Sequence, residues 1–417
     1  MNINFVNNKF LCEDVNLDHI INSTATPFYL YSQKEIEQNY NNLNNTLFSE
    51  IFFSVKANSN QAILSLIKNL GAGADTVSAG EIQRCLKVGF NPDKIIYEGV
   101  SKSEHDIRYA IKQNIRLINI ESLDEIPLIN KIGQSLNKVV NVGVRLNPDI
   151  DAGTLNKIST GKKTDKFGIN IEEIDSVISL VSTLQNIDLI SISCHIGSQI
   201  NDIKIFEKVF LKMKEAADHT LSKNINLKHL DLGGGFAVNY KKIKNDFDIK
   251  SIGKLVSSIF QNTPYKISFE PGRYLVAKAG ILITKVITTK TNGNINYLIT
   301  DAGMNTFIRP AMYGSFHRVE ALNDLKENNI NYHIAGPICE SSDIIAKNVL
   351  LPIQKSGNYL IIHDAGAYGS VMASNYNSRG FPAEILVYKN NYSVIREAEN
   401  ITEIIKKDKI PVWLKSN

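Results

Sequence analysis

Cysteine is scarce in this 417-residue chain, and the four that occur (Cys12, Cys85, Cys194, Cys339) form no CxxC pair. So few thiols exclude a disulfide scaffold and point to a reducing compartment. Long apolar runs are missing as well: no stretch approaches ~18 apolar residues, and MNINFVNNKF lacks the basic-then-apolar order of a secretion signal. The expectation is a cytoplasmic protein with no membrane partner. No spacing of His, Cys and acidic residues outlines a ligand cluster, so no metal is expected. No G-x-G-x-x-G opens a helix, which disfavours a dinucleotide. Excess charge is nearly absent too, with 46 Lys plus Arg against 42 Asp plus Glu, a net +4 that argues for no nucleic-acid partner. Arginine is the rarer cation: nine of the 46 basic residues are Arg, leaving 37 Lys. Where Arg persists in such a chain, its bidentate fork directs the search for bound carboxylate or phosphate. What remains is an ordinary globular composition, 43% apolar and 21% charged, long enough for two or three domains.

From Thr26 to about Gly272, short runs rich in β-branched and aromatic residues alternate with stretches of helical period. The runs are TPFYLYS, IFFSVKA, GADTVS, KIIYEGV, RLINIES, NVGVRLN, LISISCH, HLDLGGG and KISFEPG. Between them, Ile63, Ile67 and Leu70 share a helix face, as do Ile82, Cys85, Leu86 and Gly89, and Phe206, Val209, Phe210, Met213 and Ala217. Such alternation predicts an α/β fold, a (β/α)8 TIM barrel over 26–278, with a doubly wound open sheet as its rival. The barrel is preferred because several runs end in polar or glycine-rich chemistry, and in a barrel those ends share one mouth. After about Lys278 the runs ILITKVITTK, INYLITDAG, YLIIHDAG and AEILVYKN follow one another with little helical period, so 279–417 reads as a β-rich domain, sandwich or barrel-like, that residues 1–25 join.

Each motif has a plain reading and a chemical one. Lys56, in FFSVKAN, marks a strand's exit into water, or it is a partly buried amine with a lowered pKa, a usable nucleophile toward an aldehyde. The triple glycine in HLDLGGGFAV exceeds what a tight turn needs and leaves backbone N–H groups open to a phosphate. EPGRY adds a second turn carrying a cation. Glu270 is a solvated turn residue or a carboxylate that keeps a pyridine nitrogen protonated. His195 is a core histidine or a ring stacked on a ligand. Cys339, beside Glu340 in CESSD, gains interest only if something else brings it to an active site.

With FFSVKAN, CHIGSQI, DLGGGF, EPGRYLV, RPAMYGSFH and CESSD in this order, the chain resembles the fold-type III pyridoxal-phosphate decarboxylases, and within them the diaminopimelate decarboxylase family. The resemblance runs from TPFYLYS to NYNSRGFPAEIL, nearly the whole chain. It implies pyridoxal 5'-phosphate as cofactor and conversion of meso-2,6-diaminopimelate to L-lysine and carbon dioxide. It also implies roles: Lys56 carrying the cofactor, His195 stacked on its ring, Asp75 near the Lys56 end, and Glu270 on the ring nitrogen. Ser198, Gly234, Gly235, Gly272 and Arg273 would hold the phosphate side. Arg273, Arg309, Tyr313, Glu340 and Tyr368 would hold substrate, Tyr368 touching the cofactor too, and Cys339 would return a proton. The family also implies a head-to-tail homodimer in which Cys339, Glu340 and Tyr368 serve the neighbouring subunit's site.

Departures from the family pattern are Leu155-Asn156 and Thr306-Phe307, and residues 155–166 are a candidate closing loop from their Gly, Thr and Lys content. Rival readings are a decarboxylase of ornithine, arginine or carboxynorspermidine, an alanine-racemase-like enzyme, and a cofactor-binding regulator without activity. RPAMYG with Glu340 speaks against the first two, and the presence of both Lys56 and Cys339 speaks against the third.

Overall fold

The computed structural model describes residues 1, 3–6, 9–153, 160–241, 247–322 and 328–415. Leu155, Asn156 and the first part of the candidate loop at 155–166 lie outside the described residues. Two compact units emerge. One runs from Glu37 to Asn239 and ends at Leu275; the other takes Met1 to Ile36 and resumes at Val276, with Tyr240 and Lys241 counted in it.

The first unit is a closed parallel barrel. Its strands are β1 (Glu50–Ser54), β2 (Gly73–Thr76), β3 (Ile95–Tyr97), β4 (Leu117–Ile120), β5 (Val140–Asn147), β6 (Ile187–Ser193), β7 (His229–Asp231) and β8 (Lys266–Phe269). Each pairs in parallel with the next, and the ring closes where Ser268 and Phe269 of β8 meet Glu50 and Ile51 of β1. Closure rules out the open doubly wound sheet. The eight strands coincide with eight of the nine apolar runs, which are near-continuous because both faces of a parallel strand are covered. Helices pack outside them along the anticipated stripes: in Ile203–Ser222 the buried residues are Phe206, Val209, Phe210, Met213, Ala216, Ala217 and Thr220. Several helices begin on a side-chain cap, as where Asn60, Ser78 and Ser103 accept from N–H groups of Ala62, Glu81 and Asp106. In Gln61–Asn69 the buried face is Ile63, Leu64 and Ile67, with Leu70 at the cap.

The ninth run lies outside the barrel. Phe28–Ser32, in TPFYLYS, belongs to the second unit, antiparallel to Gly280–Asn292 and parallel to Ala383–Tyr388. It imitates a barrel strand because it too is buried on both faces. Phe28 and Leu30 join a core with Cys12, Val15, Leu17, Ile20, Ile281 and Ile385. Tyr29 and Tyr31 point the other way, and their hydroxyls donate to the Thr306 carbonyl and Glu384 Oε2, each at 2.7 Å. That core also explains why the amino-terminal segment joins this unit. Its sheet runs Ile344–Pro352, Asn329–Ala335, Ile295–Thr300, Gly280–Asn292, Phe28–Ser32, Ala383–Tyr388, Asn391–Arg396, with Tyr359–Ile362 branching from the long strand and Val319–Ala321 beyond it. Thr306 and Phe307, the other departure from the family pattern, are both buried here, Phe307 edge-on to His317.

Among the described residues, no helix is long and apolar enough to cross a membrane.

Candidate active site

In the barrel unit, the predicted chemistry gathers where strands end. β1 stops at Ser54 and a single turn, Val55–Ala57, carries Lys56. Its Nζ lies 2.7 Å from Oδ2 of Asp75 on β2; Asp75 has 0% of its side chain exposed and Lys56 has 37%. The Ser54 hydroxyl donates to the same oxygen at 2.6 Å. A buried carboxylate needs its cation, so Asp75 fixes the inner reach of Lys56 while the amine keeps access to the barrel end.

The turn after β8 packs directly on this one. A Cβ at Gly272 would fall 2.9 Å from Ser54 Cβ and 3.0 Å from Ala57 Cβ, so any side chain there displaces the Lys56 turn. Gly233 to Gly235 show the same logic more strongly. Added Cβ atoms would meet the carbonyl oxygens of Cys194 at 2.4 Å, Glu270 at 2.4 Å and Gly197 at 2.5 Å. The three missing side chains therefore first serve the interlocking of three loops, and two of the backbone N–H groups are already engaged, Gly233 donating to Asp231 Oδ1 at 2.7 Å and Gly234 to His195. Glu270 N–H donates to the Gly233 carbonyl at 2.7 Å and Ile200 N–H to the Gly235 carbonyl at 2.9 Å. Gln199 clamps Val238 through both its amide atoms.

His195 follows β6, and its Nδ1 accepts from Gly234 N–H at 3.2 Å. A nitrogen that accepts carries no proton. Burial, then the Arg145 and Lys56 charges, push this imidazole down to about 3, so the ring is neutral and flat, suited to stacking. Glu270 is buried, and its Oε1 has no hydrogen-bond partner. Burial first, then Asp231, Asp75 and Glu98, hold its carboxyl well above the usual range. Arg273, also buried, donates from Nε to Ser198 Oγ at 3.2 Å, which joins two of the predicted anion-binding residues.

Polar residues inside the barrel went unnoticed in the sequence. Arg145 of β5 pairs with Glu121 at 3.1 Å, both buried, and its guanidinium lies 5.0 Å from the Phe167 ring. It also donates to the His195 carbonyl at 3.4 Å, an oxygen the Thr160 hydroxyl reaches at 2.6 Å. Glu121 accepts N–H groups of Gly99 and Gly168. Glu98, bonded to Asn119, has its carboxyl raised by burial. Two signals were available: one of only nine arginines sits within the apolar run NVGVRLN, and Glu98 and Glu121 follow strand runs directly, as Lys56 does.

The second unit holds the remaining predicted residues in two groups. Arg309 opens the short helix Arg309–Tyr313, is buried, and lies 5.7 Å from the Tyr313 ring and 5.9 Å from the Tyr368 ring. Tyr368 takes a left-handed backbone, φ 55°. Cys339 and Glu340 occupy the loop between Asn329–Ala335 and Ile344–Pro352, both exposed. Asp343 braces that loop, its Oδ1 accepting from Met304 N–H at 2.6 Å and its Oδ2 from Ile338 N–H at 2.8 Å.

Residues 33–277 match the family described as "Pyridoxal-dependent decarboxylase, pyridoxal binding domain". The chain is 37% identical to a diaminopimelate decarboxylase of Haemophilus influenzae over 404 residues, 96% of this chain and 97% of the relative. It resembles the diaminopimelate decarboxylase of Helicobacter pylori solved with L-lysine, at TM-score 0.90 and 36% identity over 94% of this chain and 98% of that one. The M. jannaschii enzyme with L-lysine gives TM-score 0.93 and 33% identity over 98% of each. The residues present fit a pyridoxal group: a reachable amine at Lys56, a neutral ring at His195, a buried carboxyl oxygen without partner at Glu270, and side-chain-free backbone at Gly235. The chain belongs to the pyridoxal-dependent decarboxylases, among the diaminopimelate decarboxylases.

Proposed function

We propose that this chain, with pyridoxal 5'-phosphate, removes a carboxylate from meso-2,6-diaminopimelate to give L-lysine and carbon dioxide. The observation that carries the site reading is the reachable Lys56 amine held by Asp75, within the unit that also buries the unpartnered Glu270 oxygen. When bound, the cofactor supplies the electron sink that makes loss of an α-carboxylate feasible. The chain's own groups do the rest. Lys56 would hold the cofactor through Nζ, and His195 would offer a flat neutral face to its ring. Glu270 would offer its unpartnered oxygen to the ring nitrogen, and a positive N–H there would relieve the crowding of buried acids. Ser198, Gly234, Gly235, Gly272 and Arg273 take the phosphate side, with Tyr368 beside them.

Arg309, Tyr313 and Tyr368 receive the distal amino acid of the substrate. A carboxylate calls for the guanidinium fork, and an ammonium calls for the acid Glu340. Ornithine and lysine lack that distal carboxylate and cannot engage the guanidinium fork, which disfavours them as substrates. Cys339 delivers the thiol proton to Cα after the carboxylate leaves. Because a proton donor must remain a thiol, the cytoplasm is the compartment that suits it.

Cys339 and Glu340 are exposed in the single chain, and in our reading each works, with Tyr368, in the site of a second copy within a homodimer. Mixing tests this arrangement. Lys56→Ala and Cys339→Ala are each inactive as homodimers, but a heterodimer of the two carries one site with both changes and one with neither. Random mixing in equal amounts restores about a quarter of the wild-type rate of lysine formation. No recovery after confirmed subunit exchange means that each chain completes its own site.

A further inference from the structure

The segment after Tyr368 contains a contact that none of the predicted roles uses. Tyr376 donates its hydroxyl to Oε1 of Glu340. The next residue, Asn377, accepts the Cys339 N–H on its Oδ1 at 3.3 Å. Two consecutive side chains thus reach the two residues of the exposed loop that the proposed chemistry needs.

The segment is held firmly enough to position them. Asn377 and Ser378 take left-handed backbone, φ 55° and 54°, a conformation that asparagine adopts readily but serine keeps where the surroundings favour it. On one side, Ser374 N–H donates to the Asn305 carbonyl at 2.8 Å. On the other, Glu399 Oε2 accepts from Asn375 Nδ2 at 2.6 Å and from Phe381 N–H at 3.3 Å, and a Cβ on Gly380 would fall 2.1 Å from the Glu399 carbonyl. Asp343 braces the opposite loop from within. Between two fixed backbones, the Tyr376–Glu340 hydrogen bond selects one arrangement of a glutamate that would otherwise sample many rotamers. It occupies Oε1 and leaves Oε2 for a cation. Tyr376 itself is 43% exposed, so its ring adds little to a core.

We propose that Tyr376 is a positioning residue for substrate selection, orienting Glu340 so that one carboxylate oxygen stays available to the distal ammonium of a bis-amino-acid substrate. This rests on the reading of Glu340 as a substrate-binding group. Because the distal ammonium is bound in ground and transition states alike, loss of the phenol acts on KM more than on kcat.

Steady-state kinetics of the holoenzyme with meso-diaminopimelate, for Tyr376→Phe, Glu340→Gln and the double variant, test it. Tyr376→Phe raises KM about tenfold with kcat within about twofold, the size of a lost hydrogen bond to a charged group. Glu340→Gln raises KM at least as far, and adding Tyr376→Phe to it changes nothing more. Equal KM for Tyr376→Phe and wild type, with Glu340→Gln still impaired, overturns the positioning role and leaves Glu340 as a substrate ligand. A Tyr376→Phe penalty of the same size in both backgrounds also overturns it, since a purely structural effect does not depend on residue 340. Unchanged KM in Glu340→Gln overturns the underlying reading and the proposal with it.

Discussion

Lys56→Ala is expected to lose both the long-wavelength absorption band of the lysine-bound cofactor and at least about a thousandfold of the decarboxylation rate. No neighbour can substitute. Among the residues described around Asp75, Lys56 is the amine at hydrogen-bond distance, while Ser54 offers a hydroxyl that already donates to the same carboxylate oxygen. The change also leaves Asp75 fully buried without its cation. Because Lys56 is partly exposed, the stability cost is modest, about 1–2 kcal/mol, well short of unfolding a domain of this size. Absorbance, activity and melting midpoint together separate the roles: a folded variant that keeps the band removes Lys56 from its assignment.

Glu270→Gln should lower kcat by about a hundredfold to a thousandfold, the scale of removing one preorganised charge from a buried site. Its effect on the cofactor-free protein has the opposite sign. Burial, then Asp231, Asp75 and Glu98, raise the Glu270 carboxyl well above its ordinary value. A group with a raised folded pKa holds, in the native state, a proton that the unfolded chain has already released. Stability is therefore complete below the unfolded value and falls as pH rises through the folded one. Glu81, pushed up to about 7 mainly by burial, and Glu98 and Asp231, raised chiefly by the same cause, act in the same direction. His195, pushed down to about 3, and His229, to about 4, lose stability only below their ordinary range, so they do not enter above pH ~6.5. The glutamine variant should therefore gain on the cofactor-free wild type as pH rises from ~5 to ~7 and melt higher at the upper pH, since the histidine contributions are common to both. Urea unfolding at the two pH values measures it; identical slopes would mean that Glu270 is not among the crowded acids.

The barrel was legible because a parallel strand buried on both faces leaves an unbroken apolar run, and eight such runs became its eight strands. The same signature misplaced TPFYLYS, since Tyr29 and Tyr31 are as buried as Phe28 and Leu30 although the strand lies in the other sheet. The strand-end positions of Lys56, His195 and Glu270 were legible, because polar residues break a run there. Arg145, Glu98 and Glu121 escaped notice because a single charge in or beside a strand reads as its edge until closure buries it. The glycine triplet was read for its ligand, whereas its first duty is the close approach of Cys194, Gly197 and Glu270 backbone. Tyr376 and Asn377 could not be found by pattern, since their partners lie 36 and 38 residues away and no local spacing links them.

The most direct test of the central claim is the comparison of kcat/KM for carbon dioxide release from meso-diaminopimelate, L-lysine and L-ornithine by the purified protein with pyridoxal phosphate. L-lysine is the expected product, with a preference of at least about a thousandfold for meso-diaminopimelate, since a buried guanidinium acting as the carboxylate ligand would reject substrates without the matching group. Comparable turnover of all three, or release from L-ornithine alone, would contradict it.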